Sequence, residues 1–164
     1  MPKQDLDTAD LRILLELQAD ARLTNVELAE RIHLSPSPCL RRTKRLEEAG
    51  VIRGYRADLD RDKVGLGLTV FVEIKVARHS RSNADGLAKA LAEMPEVVSC
   101  CMVSGAADFL VELVVADLPA YERLLSDRLL TLSMVADIRS NFALRMIKTA
   151  GPLALPPAGQ DKGD

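Results

Sequence analysis

The sequence predicts an α+β fold in two parts, a helix-turn-helix over residues 1–50 and a ferredoxin-like βαββαβ domain over residues 68–148. Two observations support this division. Apolar residues recur at helical spacing from Asp7 to about Ala49, whereas beyond Gly50 β-rich segments alternate with helical ones. Apolar residues also make up 48% of the 164 residues, which is enough for packed cores.

The first two helices are predicted from their start signals. Asp7 is suited to be the N-cap of the first helix, and Asp10 adds negative charge to its first turn. Thr24 and Glu27 have the spacing of a capping box, which opens a second helix that ends near Arg31. The apolar faces expected to pack inward are Leu11, Leu14, Leu15 and Leu17 in the first helix, and Val26, Ala29 and Ile32 in the second.

A third helix follows after a short connection. Ser35 and Pro36 supply a capping hydroxyl and a proline in the first turn, and Gly50 ends the helix. The tight His33–Leu34 connection makes the second and third helices a helix-turn-helix. The residues expected to face inward are Leu40, Thr43, Leu46 and Ala49.

The third helix carries a basic stripe, which indicates DNA binding. The net charge of the chain is −2, so such binding depends on a local surface. Arginines one turn apart can contact phosphates and guanine edges, and the first turn of a helix can meet bases and phosphate. A merely solvated charged face is the alternative, which the helix-turn-helix spacing disfavours. The predicted DNA-binding residues are Ser35, Ser37, Pro38, Cys39, Arg41, Arg42, Lys44, Arg45 and Arg53, with Arg56 as a further candidate.

The second part has the element order βαββαβ, which is the ferredoxin-like arrangement. Residues 51–67 form an extended linker before it, and residues 149–164, rich in Pro, Gly and Ala, are expected to be disordered. The predicted strands are Thr69–Val76, Val97–Val103, Phe109–Val115 and Val135–Ile147, and the predicted helices are Asn83–Met94 and Leu118–Leu130.

Composition and motifs exclude several classes of protein. Aromatic residues make up only 3%, which argues against a single-stranded nucleic-acid platform that stacks bases. Neither a membrane span nor a signal peptide is expected, and three cysteines suggest no disulfide framework, so a reducing cytoplasm is expected. Cys100 and Cys101 alternate across a strand and are expected to be small buried residues. His33 and His79 have no second ligand at metal spacing, and no catalytic motif indicates an enzyme or a cofactor.

Several segments together resemble the Lrp/AsnC family of leucine-responsive and asparagine regulators. They include Asn25–Ala29, Leu34–Arg42, Gly50–Tyr55, Met94–Val97 and Val103–Leu110, and the resemblance extends from Leu6 to about Lys148. It implies a winged-helix head with a wing and linker over residues 51–67. It also implies a second domain for amino-acid binding and assembly, in homodimers that associate into octamers. Paired recognition helices would read a pseudo-palindromic operator.

An effector site is expected at the turn Gly105–Asp108. The Asp108 carboxylate can accept an ammonium group, while backbone amides of the turn can bind a carboxylate. A simple hairpin turn is the alternative, but the resemblance places an effector pocket at Gly105 and Asp108. The neighbours expected to line it are Met102, Val103, Ser104, Phe109, Asn141 and Phe142, which favour an apolar amino acid.

The sequence therefore predicts a sequence-specific DNA-binding transcription regulator of amino-acid metabolism or transport, responsive to an amino acid and associated with the nucleoid. Two alternatives remain. One is an amino-acid-binding subunit that controls a metabolic enzyme, under which the basic stripe has no purpose. The other is a chromatin-organising protein with little sequence preference, which a comparison of specific with random DNA would separate.

Overall fold

The computed structural model describes residues 5–77, 81–149 and 151–156. The chain divides into two compact units, one formed by residues up to 57 together with residues from 148 onward, and the other by residues 58–147. The linker predicted over residues 51–67 is thus shared between the two units.

The first unit contains the three predicted helices, α1 (Thr8–Ala19), α2 (Asn25–Arg31) and α3 (Pro36–Glu48). Both α1 and α2 begin with a complete capping box, in which the N-cap side chain and the third helical residue bond each other's backbone amides. The prediction for α3 is wrong in one detail, because the Ser35 side chain makes no capping hydrogen bond there.

The face of α3 that packs into the core of the first unit differs from the predicted one. Leu46 is buried as predicted, but its partner is Cys39, whereas Leu40 and Ala49 are exposed. In α2 the predicted Val26 is likewise exposed. A side chain at a helix contact must match the space between the helices, so the most hydrophobic residue is not always the buried one. Hydrophobicity alone therefore predicted the wrong face of α3. The residues of the buried core cluster are Ile13, Leu14, Leu28, Ala29, Ile32, Cys39 and Leu46.

The segments flanking the second unit also belong to the first. Residues 51–57 form no hydrogen-bonded strand. Residues 151–156 return to α1, where the Leu153 amide donates to Gln18 Oε1 at 2.6 Å and Gln18 Nε2 donates to the Leu153 carbonyl at 3.3 Å. Leu155 packs against the core. Disorder is therefore the wrong prediction for residues 151–156, while residues 157–164 lie outside the described residues.

The second unit is a four-stranded antiparallel sheet with two helical segments, and the ferredoxin-like prediction is confirmed. The strands are β1 (Leu68–Val76), β2 (Val97–Met102), β3 (Phe109–Val115) and β4 (Val135–Phe142), and their order in the sheet is β2-β3-β1-β4. The helical segments are α4 (Arg81–Ala92) and α5 (Leu118–Leu124), the latter continued by a π-helix over Leu125–Leu129.

The strands alternate between two faces, as a pleated sheet requires. One face packs against the helices and forms a core that includes Val72, Val111, Leu87 and Tyr121. The opposite face carries Phe71, Glu73 and Lys75 on β1, paired across β4 with Asn141, Arg139 and Asp137, and Leu110 and Glu112 on β3. We call this second surface the open face of the sheet.

Two predicted elements end at least five residues earlier than expected. β4 stops at Phe142 instead of Ile147, and beyond it Leu144 and Ile147 are strongly exposed. The helix predicted over Leu118–Leu130 loses its α-helical hydrogen-bond pattern after Leu124. Apolar content alone does not locate these ends, since hydrogen-bonded partners decide where a strand stops.

Candidate nucleic-acid interface and effector loop

The α3 helix presents four neighbouring side chains to solvent, namely Ser37, Leu40, Arg41 and Lys44, which we call the outer face of α3. All four are exposed. Ser37, Arg41 and Lys44 follow one another at helical spacing, so they lie along one line opposite the buried Cys39 and Leu46. This surface offers a hydroxyl and two cations at adjacent turns, which suits contacts with base edges and phosphates.

Two of the predicted DNA-binding arginines instead face α1. Arg42 Nη1 donates to Asp7 Oδ2 at 2.6 Å and to Asp10 Oδ1 at 3.0 Å, and Arg45 Nη2 donates to Asp10 Oδ2 at 2.5 Å. These hydrogen bonds to Asp7 and Asp10 raise the pKa of the Arg42 guanidinium. The basic stripe is therefore split between the outer face and an ion-pair network inside the first unit.

Asp7 and Asp10, the acidic residues of this network, were not predicted as partners of the α3 arginines. Partial burial acts to raise the pKa of Asp7, but the Asp10 amide and the Arg42 guanidinium hold it below its usual value. Asp7 was predicted as the N-cap of α1, and the structure has it there in a capping box with Asp10. No sequence signal connects these residues to arginines 32 to 35 positions away.

Cys39 was predicted to lie at the DNA surface, but it is buried instead. Its side chain is 0% exposed within the core, so it cannot meet a base. Burial also raises the pKa of the Cys39 thiol. The remaining predicted residues outside the network are accessible: Ser35, Ser37, Arg41, Lys44, Arg53 and Arg56 are exposed, and Pro38 is half-buried.

The turn between α2 and α3 fixes the first turn of α3. His33 has φ 58°, a left-handed conformation that reverses the chain, and the Leu34 amide donates to the Ala29 carbonyl at 2.9 Å. Asn25 Nδ2 donates to the Pro36 carbonyl at 2.9 Å, which ties the starts of the two helices together. These contacts connect the beginning of α3 to α2.

The loop between β2 and β3 is closed by Asp108. The Val103 amide donates to the Asp108 carbonyl at 2.9 Å, and the Asp108 amide donates to the Ile74 carbonyl at 3.0 Å. The carboxylate accepts a hydrogen bond from the Val76 amide at 2.8 Å. Gly105 lies between them at φ 137°, where other residues are strained. Asp108 thus has a structural role in addition to the one predicted.

The loop leaves several backbone donors unengaged. Within the described residues, the amides of Ser104, Gly105, Ala106 and Ala107 have no protein hydrogen-bond partner. All four residues are exposed or half-buried. Backbone amides without a protein acceptor can donate hydrogen bonds to a carboxylate, so the loop offers donors for one.

The other predicted effector residues do not share one surface. Phe109 is buried in the core, so it does not line the surface of the loop as predicted. Phe142 lies on the helix side of the sheet, edge-on to Tyr121 at 5.5 Å between ring centroids. Asn141 lies on the open face, where its Nδ2 donates to Glu73 at 3.2 Å. Met102, Val103 and Ser104 remain accessible beside the loop, and Met102 is 61% exposed.

A separate open cleft of about 390 Å³ lies at the other end of β3, next to α5 and the π-helix. None of the predicted effector residues lines it. An ion pair between Arg128 and Glu96, 3.2 Å apart, lies along it. The lining residues are Leu66, Glu96, Val114, Val115, Ala116, Ala120, Arg123, Leu124, Asp127 and Arg128.

Cys100 and Cys101 face opposite sides of the sheet as predicted, since they pair with Val111 and Leu110 respectively. Both are exposed, so the prediction that they are buried is wrong.

In the described part of the chain, no three His, Cys, Asp or Glu side chains converge to hold a metal ion. His79 lies outside the described residues. Across residues 5–77, 81–149 and 151–156, no helix has the length and apolar character of a membrane span.

Comparisons with known proteins match both units. Residues 6–53 match the family model described as winged helix-turn-helix DNA-binding, and residues 69–153 match the Lrp/AsnC ligand binding domain. A leucine-responsive regulatory protein of Rhizobium meliloti is 42% identical over 146 residues, covering 89% of this chain and 94% of the relative. The leucine-responsive regulatory protein of Escherichia coli K12 is 40% identical over 154 residues, covering 94% of each.

Solved structures agree in fold over nearly the whole chain. A transcriptional regulator from Neisseria meningitidis, in complex with L-Met, has a TM-score of 0.86 and 42% identity, covering 91% of this chain and 96% of its own. An AsnC family regulator from Agrobacterium tumefaciens has a TM-score of 0.84 and 38% identity, covering 92% and 97%.

A winged helix-turn-helix unit joined to a ligand-binding α+β unit defines a DNA-binding transcription regulator with its own sensory domain. The chain belongs to the Lrp/AsnC family of transcription regulators. This confirms the family resemblance, and it confirms that the protein is a regulator and not an enzyme.

Proposed function

We propose that the protein reads operator DNA with the outer face of α3 and adjusts this binding in response to an apolar amino acid bound at the Gly105–Asp108 loop. The observation that carries the DNA-binding half is the outer face itself. Ser37, Arg41 and Lys44 are exposed along one line of α3. Within the described residues neither cation has an ion-pair partner.

From this geometry we infer which DNA contact each residue of α3 makes. Arg41 can reach a guanine edge or a phosphate, and Ser37, one turn earlier, can meet a base near the start of the helix. Lys44 adds a phosphate contact further along. Arg53 is exposed beyond the end of α3 and can add another. Phosphate contacts set affinity, whereas contacts with base edges set specificity.

The test is a titration of the protein's own upstream DNA at several salt concentrations. We expect Arg41→Ala and Lys44→Ala each to lower the slope of log K against log salt by about one unit, because each removes one phosphate-contacting cation. Arg12→Ala is the matched control, since Arg12 is an exposed arginine on α1. Unchanged slopes for both α3 variants would refute this assignment, as would an equal loss for the control.

The effector half of the proposal is supported by the loop's free amides beside an acidic residue. The amino acid's carboxylate would bind the amides of Ser104–Ala107, and its ammonium would approach the Asp108 carboxylate. The exposed Met102 and the half-buried Val103 beside the loop suit an apolar side chain. The complex of the Neisseria meningitidis regulator with L-Met also supports a small apolar ligand.

A thermal-shift screen with L-Met and other amino acids tests this site. A ligand that binds only the folded protein raises the midpoint by linkage. Asp108→Asn removes the charge but keeps an oxygen that can accept from the Val76 amide, so the shift caused by the amino acid, measured from the variant's own ligand-free midpoint, should be lost. Asp137→Asn, an exposed acid on the open face, is the matched control. A shift that survives in Asp108→Asn would place the ammonium elsewhere.

Assembly is proposed to pair the second units of two chains into a homodimer, with dimers associating into octamers. Apolar residues on the open face, such as Phe71 and the 40%-exposed Leu110, support pairing between copies. Leu110→Lys should shift the mass measured by sedimentation equilibrium toward the monomer. An unchanged mass would move the interface to another surface.

Because octamers can wrap DNA, we further propose a cytoplasmic, nucleoid-associated regulator of amino-acid metabolism or transport. The relevant measurement compares affinity for the upstream DNA with affinity for random duplexes of equal length. A ratio of at least about 10³ is expected for a specific regulator. A ratio near one would favour chromatin organisation with little sequence preference.

A further inference from the structure

Four charged side chains form a network within the first unit, two acids from the start of α1 and two arginines from α3. Asp10 is at its centre. Its Oδ1 accepts from Arg42 at 3.0 Å, and its Oδ2 accepts from Arg45 at 2.5 Å and from the Asp7 amide at 3.2 Å. Asp7 adds a second carboxylate against Arg42 at 2.6 Å.

The position of Asp10 makes the network difficult to open. Its side chain is 0% exposed, although it is a carboxylate. A buried charge is tolerated when opposite charges and hydrogen bonds satisfy it, and it becomes costly when a partner leaves. If Arg42 and Arg45 turned toward DNA, Asp10 would be left buried without either cation. The two arginines are therefore held toward α1.

The cations of α3 fall into two pairs as a result. Arg41 and Lys44 point outward without ion-pair partners in the described part of the chain, whereas Arg42 and Arg45 share the carboxylates of α1. Of the two inward-facing arginines, Arg45 shows the effect of Asp10 more clearly, because 55% of its side chain is exposed. Solvent access alone would let it reach a phosphate, so the Asp10 carboxylate is what restrains it.

We propose that Asp10, assisted by Asp7, is a specificity-determining residue that withholds Arg42 and Arg45 from DNA phosphates. The inference rests on the proposed reading of DNA by the outer face of α3. Non-specific affinity grows with the number of phosphates that a protein neutralises, whereas base contacts discriminate between sequences. Withholding two of the four cations limits binding to random DNA and leaves Arg41 and Lys44 to act at the operator.

The test is Asp10→Asn in the full-length protein, a change that keeps the shape of the side chain and removes its charge. Binding is titrated against salt with the upstream DNA and with a random duplex of equal length. We expect the slope of log K against log salt to steepen by about one unit for each arginine released. Affinity for the random duplex should rise more than affinity for the upstream DNA, so the specificity ratio should fall.

Two variants control for general effects of charge. Asp5→Asn removes a carboxylate from an exposed position two residues before Asp7 and should leave the slope near that of the wild type. Asp10→Glu restores the charge and the capping-box acceptor, and it should restore the wild-type slope. If Asp10→Asn and Asp5→Asn give the same slope, the proposal is overturned, because a network held only for packing would not change the number of phosphate contacts.

Thermal unfolding establishes whether each variant is folded. If Asp10→Asn is not, the exposed Asp7→Asn decides, since it loosens Arg42 and leaves Asp10 intact. A slope steeper than that of Asp5→Asn supports the proposal, and an equal slope overturns it. Failure of the proposed DNA interface is recognised separately, because Arg41→Ala and Lys44→Ala would then both leave the slope unchanged.

Discussion

Cys39 is buried in the structure, whereas the sequence predicted it at the DNA-binding surface. The reactivity of its thiol distinguishes these two positions. In a Cys100→Ser/Cys101→Ser protein, Cys39 is the only thiol. It is 0% exposed in the core of the first unit, and burial raises its pKa, which lowers the fraction of reactive thiolate. We therefore expect iodoacetamide to react with Cys39 only when the first unit opens.

The expected protection follows from the size of that unit. A unit with roughly sixty described residues has a stability of about 3 to 9 kcal/mol, taking about 0.05 to 0.15 kcal/mol per residue. Since about 1.4 kcal/mol corresponds to a factor of ten, labelling should be at least about a hundredfold slower than in the denatured protein. The assay follows alkylation by mass spectrometry, with and without denaturant.

An exposed thiol on the same helix provides the matched comparison. Ser37→Cys, in a protein whose three native cysteines are replaced, places the thiol on the outer face of α3, two residues before Cys39. It should label at nearly the denatured rate, and upstream DNA should protect it. Labelling of native Cys39 within a few-fold of the denatured rate would refute the burial and return this residue to the accessible surface.

Three further predictions concern other contacts. Tyr121→Phe should lower the free energy of unfolding of the second unit by about 1 kcal/mol in a denaturant titration, because the tyrosine hydroxyl is hydrogen-bonded to Ser140; no loss would contradict that bond. Gly105→Ala should lower the thermal midpoint, because alanine at φ 137° is strained by about 1 to 3 kcal/mol; an unchanged midpoint would contradict the loop conformation. Burial and the hydrogen bond to Glu47 raise the pKa of Tyr55 to about 12, so its neutral form is favoured in the fold. The associated stability is present below pH 10, the usual tyrosine pKa, and is lost as pH rises through about 12. Phenolate absorbance should report this pKa in the wild type and a lower one in Glu47→Gln.

Sequence patterns located the elements of the fold because each has strong local signals. The N-cap at Asp7 and the capping box at Thr24 start two helices, and the alternation in Val70–Ile74 defines a strand buried on one face. The βαββαβ order then leaves few topologies open. The ends of the elements were harder to predict, as at β4. The apolar Leu144 resembles a strand residue in the sequence, and only the structure shows that no neighbouring strand pairs with it.

The candidate site was predictable in outline and misassigned in detail for a physical reason. Composition indicated a basic α3, but the phase of the helix depends on which residue fits against its neighbours. Cys39, and not the larger Leu40, occupies the interface. Similarly, Asp108 looked available to a ligand, but the Val76 amide that it also binds is 32 residues away. Contacts between residues distant in sequence have no local signature.

The return of residues 151–156 to the first unit bears on the order in which the protein matures during synthesis. The ribosome releases α1, α2 and α3 first, but Leu153 and Leu155, which complete the bonds to Gln18 and the packing of the core, are made after the whole second unit. The sensory unit is thus available to fold before the DNA-reading unit has received its final contacts. A nascent chain can therefore acquire its amino-acid-binding fold before its DNA-binding unit reaches full stability.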